Sequence, residues 1–441
     1  MGAVQLSFFF IGGAVCLFLL LFCLTSLGEK KLRAALVSAA LCAALGLIWF
    51  GGYFVFQPSD SILLIPVLMI FLFAVLFFMP LGIRKPLQIG EVTERVDERD
   101  VMFAREEYEP GTEQYEKYYA MRPENKTIDD TIRKLPELLE PGGRYYDPIR
   151  SGYIDSIFLV NRLMINMVDG KVNPTRTEVD PARIAKTIKE FTRHVGADDV
   201  GIARLNQAWI YSHVGRGPEP WGSPIHLDHR YVIAFTLEMD YAKVEAAPRL
   251  PITEETAIRY LNAAMISVAL AKFIRQLGYS ARAHIAGSNY QIMLPPVARD
   301  AGLGELGRFG YLISPRHGAR VRLGAVTTDL PLACDKPIAF GVQDFCEKCK
   351  KCATICPSRS IPFGDKTNIR GVEKWQLEME TCLKYWRVIG TDCGLCMKVC
   401  PFSHPRSFVH NLIRTGIRRS TFARRVSAYG DDLFYGKKAK L

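Results

Sequence analysis

Eight of the chain's 12 cysteines fall between Cys346 and Cys400, and their spacing restricts the fold more than any other feature. The first group, FCEKCKKCATICP, sets Cys346, Cys349, Cys352 and Cys356 in the pattern C-x2-C-x2-C-x3-C-P. The second, CLKYWRVIGTDCGLCMKVCP, sets Cys382, Cys393, Cys396 and Cys400, again closed by proline. Three closely spaced thiolates grip three irons of one cubane, and a fourth cysteine fixed before a proline reaches across to the other cluster. The spacing therefore assigns Cys346, Cys349, Cys352 and Cys400 to one [4Fe–4S] cluster. It assigns Cys382, Cys393, Cys396 and Cys356 to a second, with Cys382 farther from its group than the compact repeat places it. Disulfides would need an oxidising compartment. Zinc sites show paired C-x2-C units without the third cysteine or the C-P ending.

Hydrophobicity is unevenly spread over the 441 residues. No charged side chain occurs from Met1 to Gly28, from Ala34 to Phe56 or from Ile62 to Ile83. Each stretch reaches the roughly 20 residues needed to cross the hydrocarbon core. Three such runs in tandem, without an A-x-A-like cleavage site, are not a signal peptide. The expectation is a membrane anchor over residues 1–86, with three helices at about 3–27, 34–56 and 62–83. Lys30, Lys31 and Arg33 oppose Glu29 in the first loop, and Arg84 and Lys85 follow the third span, whereas the second loop carries only Asp60. Under the positive-inside rule the first loop and everything after Arg84 are cytoplasmic.

The remainder is a globular part with an excess of basic residues within a formal charge of +11. Such an excess suits nucleic acid or an anionic leaflet equally, and charge alone separates neither. Residues 90–150 are polar, acidic and turn-rich and read as an extended linker lying over a core. A helix is expected from Pro181 to a stop at Gly196, and strands at VGIARL and YVIAFTLEM. A long helix capped by Thr253 should run to Gly278. This alternation indicates an α/β or α+β core.

Within AGLGELGRFG, Gly302, Gly304 and Gly307 spell G-x-G-x-x-G. A dinucleotide turn needs an apolar strand before these glycines, a helix after them and an acid about 20 residues on. Pro295 and Pro296 break any central strand ahead of the motif, and the residues beyond it read as loop and strand. The context of a dinucleotide site is missing.

Several stretches together resemble the cobalamin-dependent reductive dehalogenases. They are DERDVMFAR (Asp97–Arg105), AGLGELGR (Ala301–Arg308), TTDLPL (Thr327–Leu332), FGVQDFCEKCKKCATICP (Phe340–Pro357), KWQLEMETCLKYW (Lys374–Trp386), TDCGLCMKVCPFSHP (Thr391–Pro405) and DDLFYGKK (Asp431–Lys438). The resemblance covers essentially residues 90–441. It implies an α/β, nitroreductase-like corrinoid-binding core with its linker over 87–335, and a dicluster ferredoxin-like domain with a C-terminal extension over 336–441. It also implies a base-off cobalamin whose cobalt, reduced to Co(I) through the two clusters, cleaves a carbon–halogen bond: R–X plus two electrons and a proton gives R–H and halide.

By the same resemblance Tyr260 is the proton donor, Arg322 the cation that stabilises its phenolate, and Asn289 completes the polar cluster. Gly302, Gly304, Gly307 and Arg308 become part of the corrinoid cradle. Ala264, Ser267 and Ala271 share the helical face of Tyr260, a row of small side chains that a flat cofactor could approach. Trp209, Tyr211, Trp221, Trp375 and Trp386 are candidates to line an apolar cavity or to pack the core. The implied partners are the lipid bilayer, a halogenated organic substrate and an electron donor (quinol, ferredoxin or flavodoxin), with no nucleic acid expected.

Respiratory members carry a twin-arginine export signal. No such pair opens this chain, and its first loop, GEKKLRAAL, is similar to the small membrane-anchor partner of those enzymes. Two other readings stay open. An epoxyqueuosine-reductase-like enzyme shares corrinoid, clusters and core but uses an aspartate where this chain has a tyrosine. A membrane-bound iron–sulfur electron-transfer module would have no substrate of its own.

Overall fold

The computed structural model describes residues 2–82, 86–92, 94–286 and 290–437. The end of the third expected span, its flanking Arg84 and Lys85, and Asn289 lie outside them. The chain forms two compact units. One comprises Met1–Pro86, Phe340–Lys351 and His404–Lys440; the other comprises Leu87–Ala339 and Cys352–Ser403. The division cuts through the 336–441 domain expected from sequence, placing Cys346 and Cys349 in the first unit and the other six cysteines in the second.

The first unit is built on three apolar helical runs, Ala3–Gly28, Leu32–Phe56 and Asp60–Phe78. The third begins two residues earlier than expected and ends at Phe78, because Pro80 follows at once and cannot continue a helix. Leu17, Leu20, Leu24, Leu64 and Phe71 stand exposed on these helices, as lipid-facing side chains do. Trp49 stacks on Phe8 at 4.6 Å, and its Nε1 donates to the Phe8 carbonyl at 3.0 Å, tying the first two runs together. Two C-terminal helices, Phe408–Arg419 and Thr421–Tyr435, join this unit through apolar faces: Phe22 packs on Phe434 at 4.6 Å, beside Ala34 and Val409. The basic stretch RTGIRRSTFARR therefore lies partly inside. Arg424 is buried against Asp344 at 3.0 Å, a partner that sequence could not supply.

Just past the first helix, Glu29 is buried between two imidazoles. His410 Nε2 lies 2.6 Å from Glu29 Oε1, and His404 Nδ1 lies 3.4 Å from Glu29 Oε2. The two rings are stacked at 4.6 Å with planes 11° apart. An ion must lie in the plane of each imidazole that ligates it, and stacked planes share no such point. The arrangement is that of one carboxylate held by two imidazoles, not of a metal centre. Burial works to raise the Glu29 pKa, but His404 and His410 outweigh it and hold it down to about 2. His404 is raised despite its burial by Asp431 and Glu29, whereas burial lowers His410. Asp431 in turn pairs with Lys351.

Removing one partner of such a buried pair costs about 3–5 kcal/mol. Glu29→Gln is therefore expected to lower the thermal midpoint of the detergent-solubilised protein by several degrees. The Glu29 contribution is fully present above the ordinary carboxylate range and is lost as pH falls toward 2. The His404 contribution is lost as pH rises through its raised pKa. Equal midpoints for variant and parent at neutral pH would contradict this.

The second unit is centred on a four-stranded sheet. Its strands are β1 (Asp199–Arg204), β2 (Tyr231–Glu238) and β3 (Ala281–His284), then, after the short pair β4 (Glu305–Leu306) and β5 (Leu312–Ile313), β6 (Val321–Thr328). The order is β1-β2-β6-β3, and every neighbouring pair runs antiparallel. The core is thus α+β in its strand directions, a point that alternating helix and strand patterns left open. Interior residues of β2 and the face of the Leu250–Gln276 helix form one apolar cluster, with Ile233, Phe235, Ala264, Leu270, Ala271 and Val326 at its centre.

Among the described residues that helix is the fourth long and apolar enough to cross a membrane. Half of its most apolar stretch is buried in the protein, against 17–22% for the three N-terminal runs, and it packs on the sheet. It starts at Leu250 with Pro251 in its first turn, so Thr253 is not its cap. The 90–150 segment is also not an extended linker. It folds into helices, including Glu113–Met121 and Pro123–Arg133, around a core of Tyr108, Tyr115, Tyr118 and Tyr119. Tyrosines on helices made this core legible only after folding, because the segment's charges dominate its composition.

Candidate active site

The Leu250–Gln276 helix and β6 bring the expected proton donor and cation together: the Arg322 guanidinium lies over the Tyr260 ring, 5.3 Å from its centroid. Arg322 Nη2 donates to Thr256 Oγ1 at 2.6 Å and to Asp392 Oδ2 at 3.1 Å. Thr256 and Tyr260 are four residues apart and share one helical face. Burial works against the charge of Arg322, but Tyr260 and then Asp392 hold its pKa above the ordinary arginine value.

Two further tyrosines face this pair. Tyr290 has its phenol pushed well up by burial, with Tyr260 adding to the effect and Arg322 opposing it. Tyr311 is raised by burial and then by Cys382 and Cys396, while Arg322 lowers it. Tyr311 thus feels both the thiols of the second cysteine group and the Tyr260–Arg322 pair. Neither tyrosine carries a sequence motif. Both became visible only through the fold.

The four thiols of the second cluster set lie in this unit and act on one another. Burial, and next Cys356, pushes Cys382 up to about 11. Burial pushes Cys393 up to about 12, and Cys396 is raised well above its ordinary value by burial and by Cys393, Cys382 and Cys356. Half-buried thiols that resist ionisation suit a cationic iron cluster, whose charge takes their protons outright. In the first set Cys346, Cys352 and Cys400 are buried and Cys349 half-buried.

The glycine motif has another role. Pro295 stands in the first turn of a short helix, Leu294–Asp300, and the motif then turns through Gly302 (φ +76°) into the β4–β5 hairpin. A helix precedes and a hairpin comes after, the reverse of a dinucleotide turn. A Cβ on Gly302 would stand 2.6 Å from the Lys336 carbonyl oxygen, and one on Gly304 only 2.2 Å from that of Ile313. At Gly307 it would meet the Ile313 side chain at 2.8 Å. Arg308 is buried, donating to the carbonyls of Pro362 and Gly364 with its guanidinium over Trp375. The space left by these glycines is filled by the chain itself. At Gly302, Gly304 and Gly307 the motif serves as a packing turn, where the chain's own atoms approach closely. Overpacking of this kind costs about 1–3 kcal/mol. Gly304→Ala should lower the unfolding midpoint while leaving iron content unchanged, and an unaltered midpoint would refute that role.

The row Ala264, Ser267 and Ala271 is likewise fully buried, its small side chains letting the helix approach the sheet rather than a cofactor. Trp209 donates to Asp300, Trp221 packs on Tyr108, and Trp386 packs on Phe103, so these act in packing. A fit for a large bound group remains at Arg322. Its Nε is buried without a hydrogen-bond partner among the described residues, and the half-buried Tyr260, Tyr290 and Tyr311 stand around it.

The Tyr260–Arg322 pair and the thiols of Cys356, Cys382, Cys393 and Cys396 thus lie in the same unit. A 4Fe-4S dicluster domain model matches residues 345–404. The chain is 34% identical over 297 residues to the tetrachloroethene reductive dehalogenase of Sulfurospirillum multivorans, covering 59% of this chain and 59% of that protein. Its fold superposes on the catabolic reductive dehalogenase NpRdhA with a TM-score of 0.66 at 28% identity, over 81% of this chain and 49% of that one. It matches a second reductive dehalogenase structure, one described as suggesting a mechanism for B12-dependent dehalogenation, with the same score and identity. The epoxyqueuosine reductase of Salmonella typhimurium is a weaker match, 23% identical over 286 residues. The chain is thus similar in sequence and in fold to reductive dehalogenases. It spans about three fifths of the curated relative's length and about half of the solved chains'.

Proposed function

We propose that this chain is a membrane-anchored reductive dehalogenase that replaces a carbon–halogen bond of an organic substrate by carbon–hydrogen. The observation that carries the reading is the Tyr260–Arg322 pair, set against half-buried cluster thiols in a chain similar to these enzymes. In this reading Cys346, Cys349, Cys352 and Cys400 hold one [4Fe–4S] cluster, and Cys356, Cys382, Cys393 and Cys396 the other. Arg322, through its unpartnered Nε, and Tyr260, Tyr290 and Tyr311 would hold the corrinoid in a nitroreductase-like core. When bound, the corrinoid supplies low-valent cobalt able to cleave the carbon–halogen bond, and the clusters supply electrons singly.

The chain's own residues do the rest. Tyr260 holds the proton at its phenolic oxygen and delivers it to carbon as halide departs. Arg322 stabilises the phenolate, and Asp392 and Thr256 keep the guanidinium in place. Tyr290 and Tyr311 narrow the site and thin the water around it. Asn289 keeps its place in the proposal on the resemblance alone. The three apolar runs anchor the enzyme as a multi-pass protein with its catalytic part on the cytoplasmic face, supported by Lys30, Lys31 and Arg33 in the first loop. Quinol, ferredoxin or flavodoxin would donate the electrons.

The test is halide release by the purified, corrinoid- and iron-loaded protein with reduced viologen and a panel of aryl and alkyl halides. Halide appearing in proportion to corrinoid content is expected. No halide from any member of the panel would overturn the reading.

A further inference from the structure

Asp392 immediately precedes Cys393, and its carboxylate is the hub of a buried network that reaches the proton donor. Thr253 Oγ1 donates to its Oδ1 at 2.8 Å, Thr256 Oγ1 donates to its Oδ2 at 2.6 Å, and Arg322 Nη2 reaches the same Oδ2 at 3.1 Å. The Asp392 N–H returns a bond to Thr253 Oγ1 at 3.2 Å. That contact pins the backbone where Cys393 adopts φ +39°, a left-handed conformation that a cysteine rarely takes. All four groups are buried or nearly so, with Asp392 side-chain exposure at 6% and Arg322 at 13%.

A buried anion beside a cysteine that must become a thiolate is unfavourable for the thiolate. Thr253 and Thr256 alone could be satisfied by a neutral asparagine. The charge is required by Arg322, which would otherwise be an uncompensated buried cation. We propose that Asp392 is a positioning residue that couples the second cluster site to proton delivery. One carboxylate holds Arg322 over Tyr260 and, through Thr253, fixes the backbone that presents Cys393. The proposal rests on the dehalogenase reading for its proton-transfer half, but not for its cluster half.

Two consequences separate this role from a merely structural one. Removing a negative charge near a cluster stabilises its more negative, reduced form, so the midpoint potential of one cluster should rise. Loosening Arg322 should make proton transfer slower relative to the other steps. Second-sphere partners of this kind are worth about 10–100-fold in activity.

The full-length protein carrying Asp392→Asn should therefore show one of its two cluster signals shifted to higher potential in a dithionite–viologen titration, with the other unmoved. Its kcat for halide release should fall about 10–100-fold, KM should change little, and the solvent isotope effect should rise. Thr253→Val should alter the same cluster signal without raising the isotope effect. Unchanged potential together with an unchanged isotope effect in Asp392→Asn would overturn the proposal. Should that variant fail to retain iron, Thr256→Val decides. It removes the hydroxyl between Asp392 and Arg322, and must raise the isotope effect with both cluster signals in place; an unmoved isotope effect overturns the coupling. Absence of halide release by the unaltered protein would sink the dehalogenase reading and leave the potential shift as the test of Asp392.

Discussion

Replacing Tyr260 by phenylalanine should cut halide release by about 10²–10⁴-fold, the range typical of a lost general acid. The aromatic ring, its packing and its place under Arg322 at 5.3 Å all survive the change, since only the hydroxyl is removed. Corrinoid and iron contents should match the parent protein, which separates lost chemistry from lost folding. Arg322 would keep Asp392 and Thr256 as partners and stay buried, so the site should not collapse. Steady-state halide release under reduced viologen measures the effect. A variant running within a few-fold of the parent would show that the proton comes from elsewhere, with Tyr290 the next phenol to remove.

Cys396→Ala should remove one cluster outright. Cys396 is half-buried and interacts with Cys356, Cys382 and Cys393, and three thiols without the fourth leave one iron of a cubane open. Iron content is expected to fall from about eight to about four atoms per chain, because each cluster of this type holds about four. Halide release should become undetectable, and the remaining cluster should keep its own reduced-state signal. A variant retaining all its iron would refute the assignment of Cys396 to the second cluster. Retained iron with unchanged turnover would also refute the path of electrons through it.

The legible parts of this protein are those written in short intervals of chain. Cysteine spacing pointed to iron–sulfur clusters because a cubane accepts thiolates only at a few separations, and a 4Fe-4S dicluster domain matches that stretch. The helix near Pro181 and the strands at Val200 and Tyr231 were visible from periodicity and stop signals, and they stand close to where they were expected. The misreadings have physical reasons as well. The polar 90–150 segment hid a core of tyrosines, residues that bury a ring while keeping a hydroxyl bonded, as Tyr119 does to Asp129 at 2.8 Å. Thr253 looked like a helix cap because its residue type suits one, yet its hydroxyl is committed to Asp392. The glycines of AGLGELGRFG mark a close backbone approach, and only the fold shows that the carbonyls of Lys336 and Ile313 are among the atoms that approach.

The sequence by itself determined the iron–sulfur chemistry and the apolar anchor. Both depend on distances along one stretch of chain, measured against a cluster or a bilayer of fixed size. Only the tertiary structure decided that residues 253, 256, 260, 322 and 392 meet in one buried network. The same holds for the C-terminal helices, which fold with the anchor rather than with residues 352–403. Those outcomes depend on which apolar faces bury one another and which buried charges find partners, and such contacts between distant segments leave no local period to read.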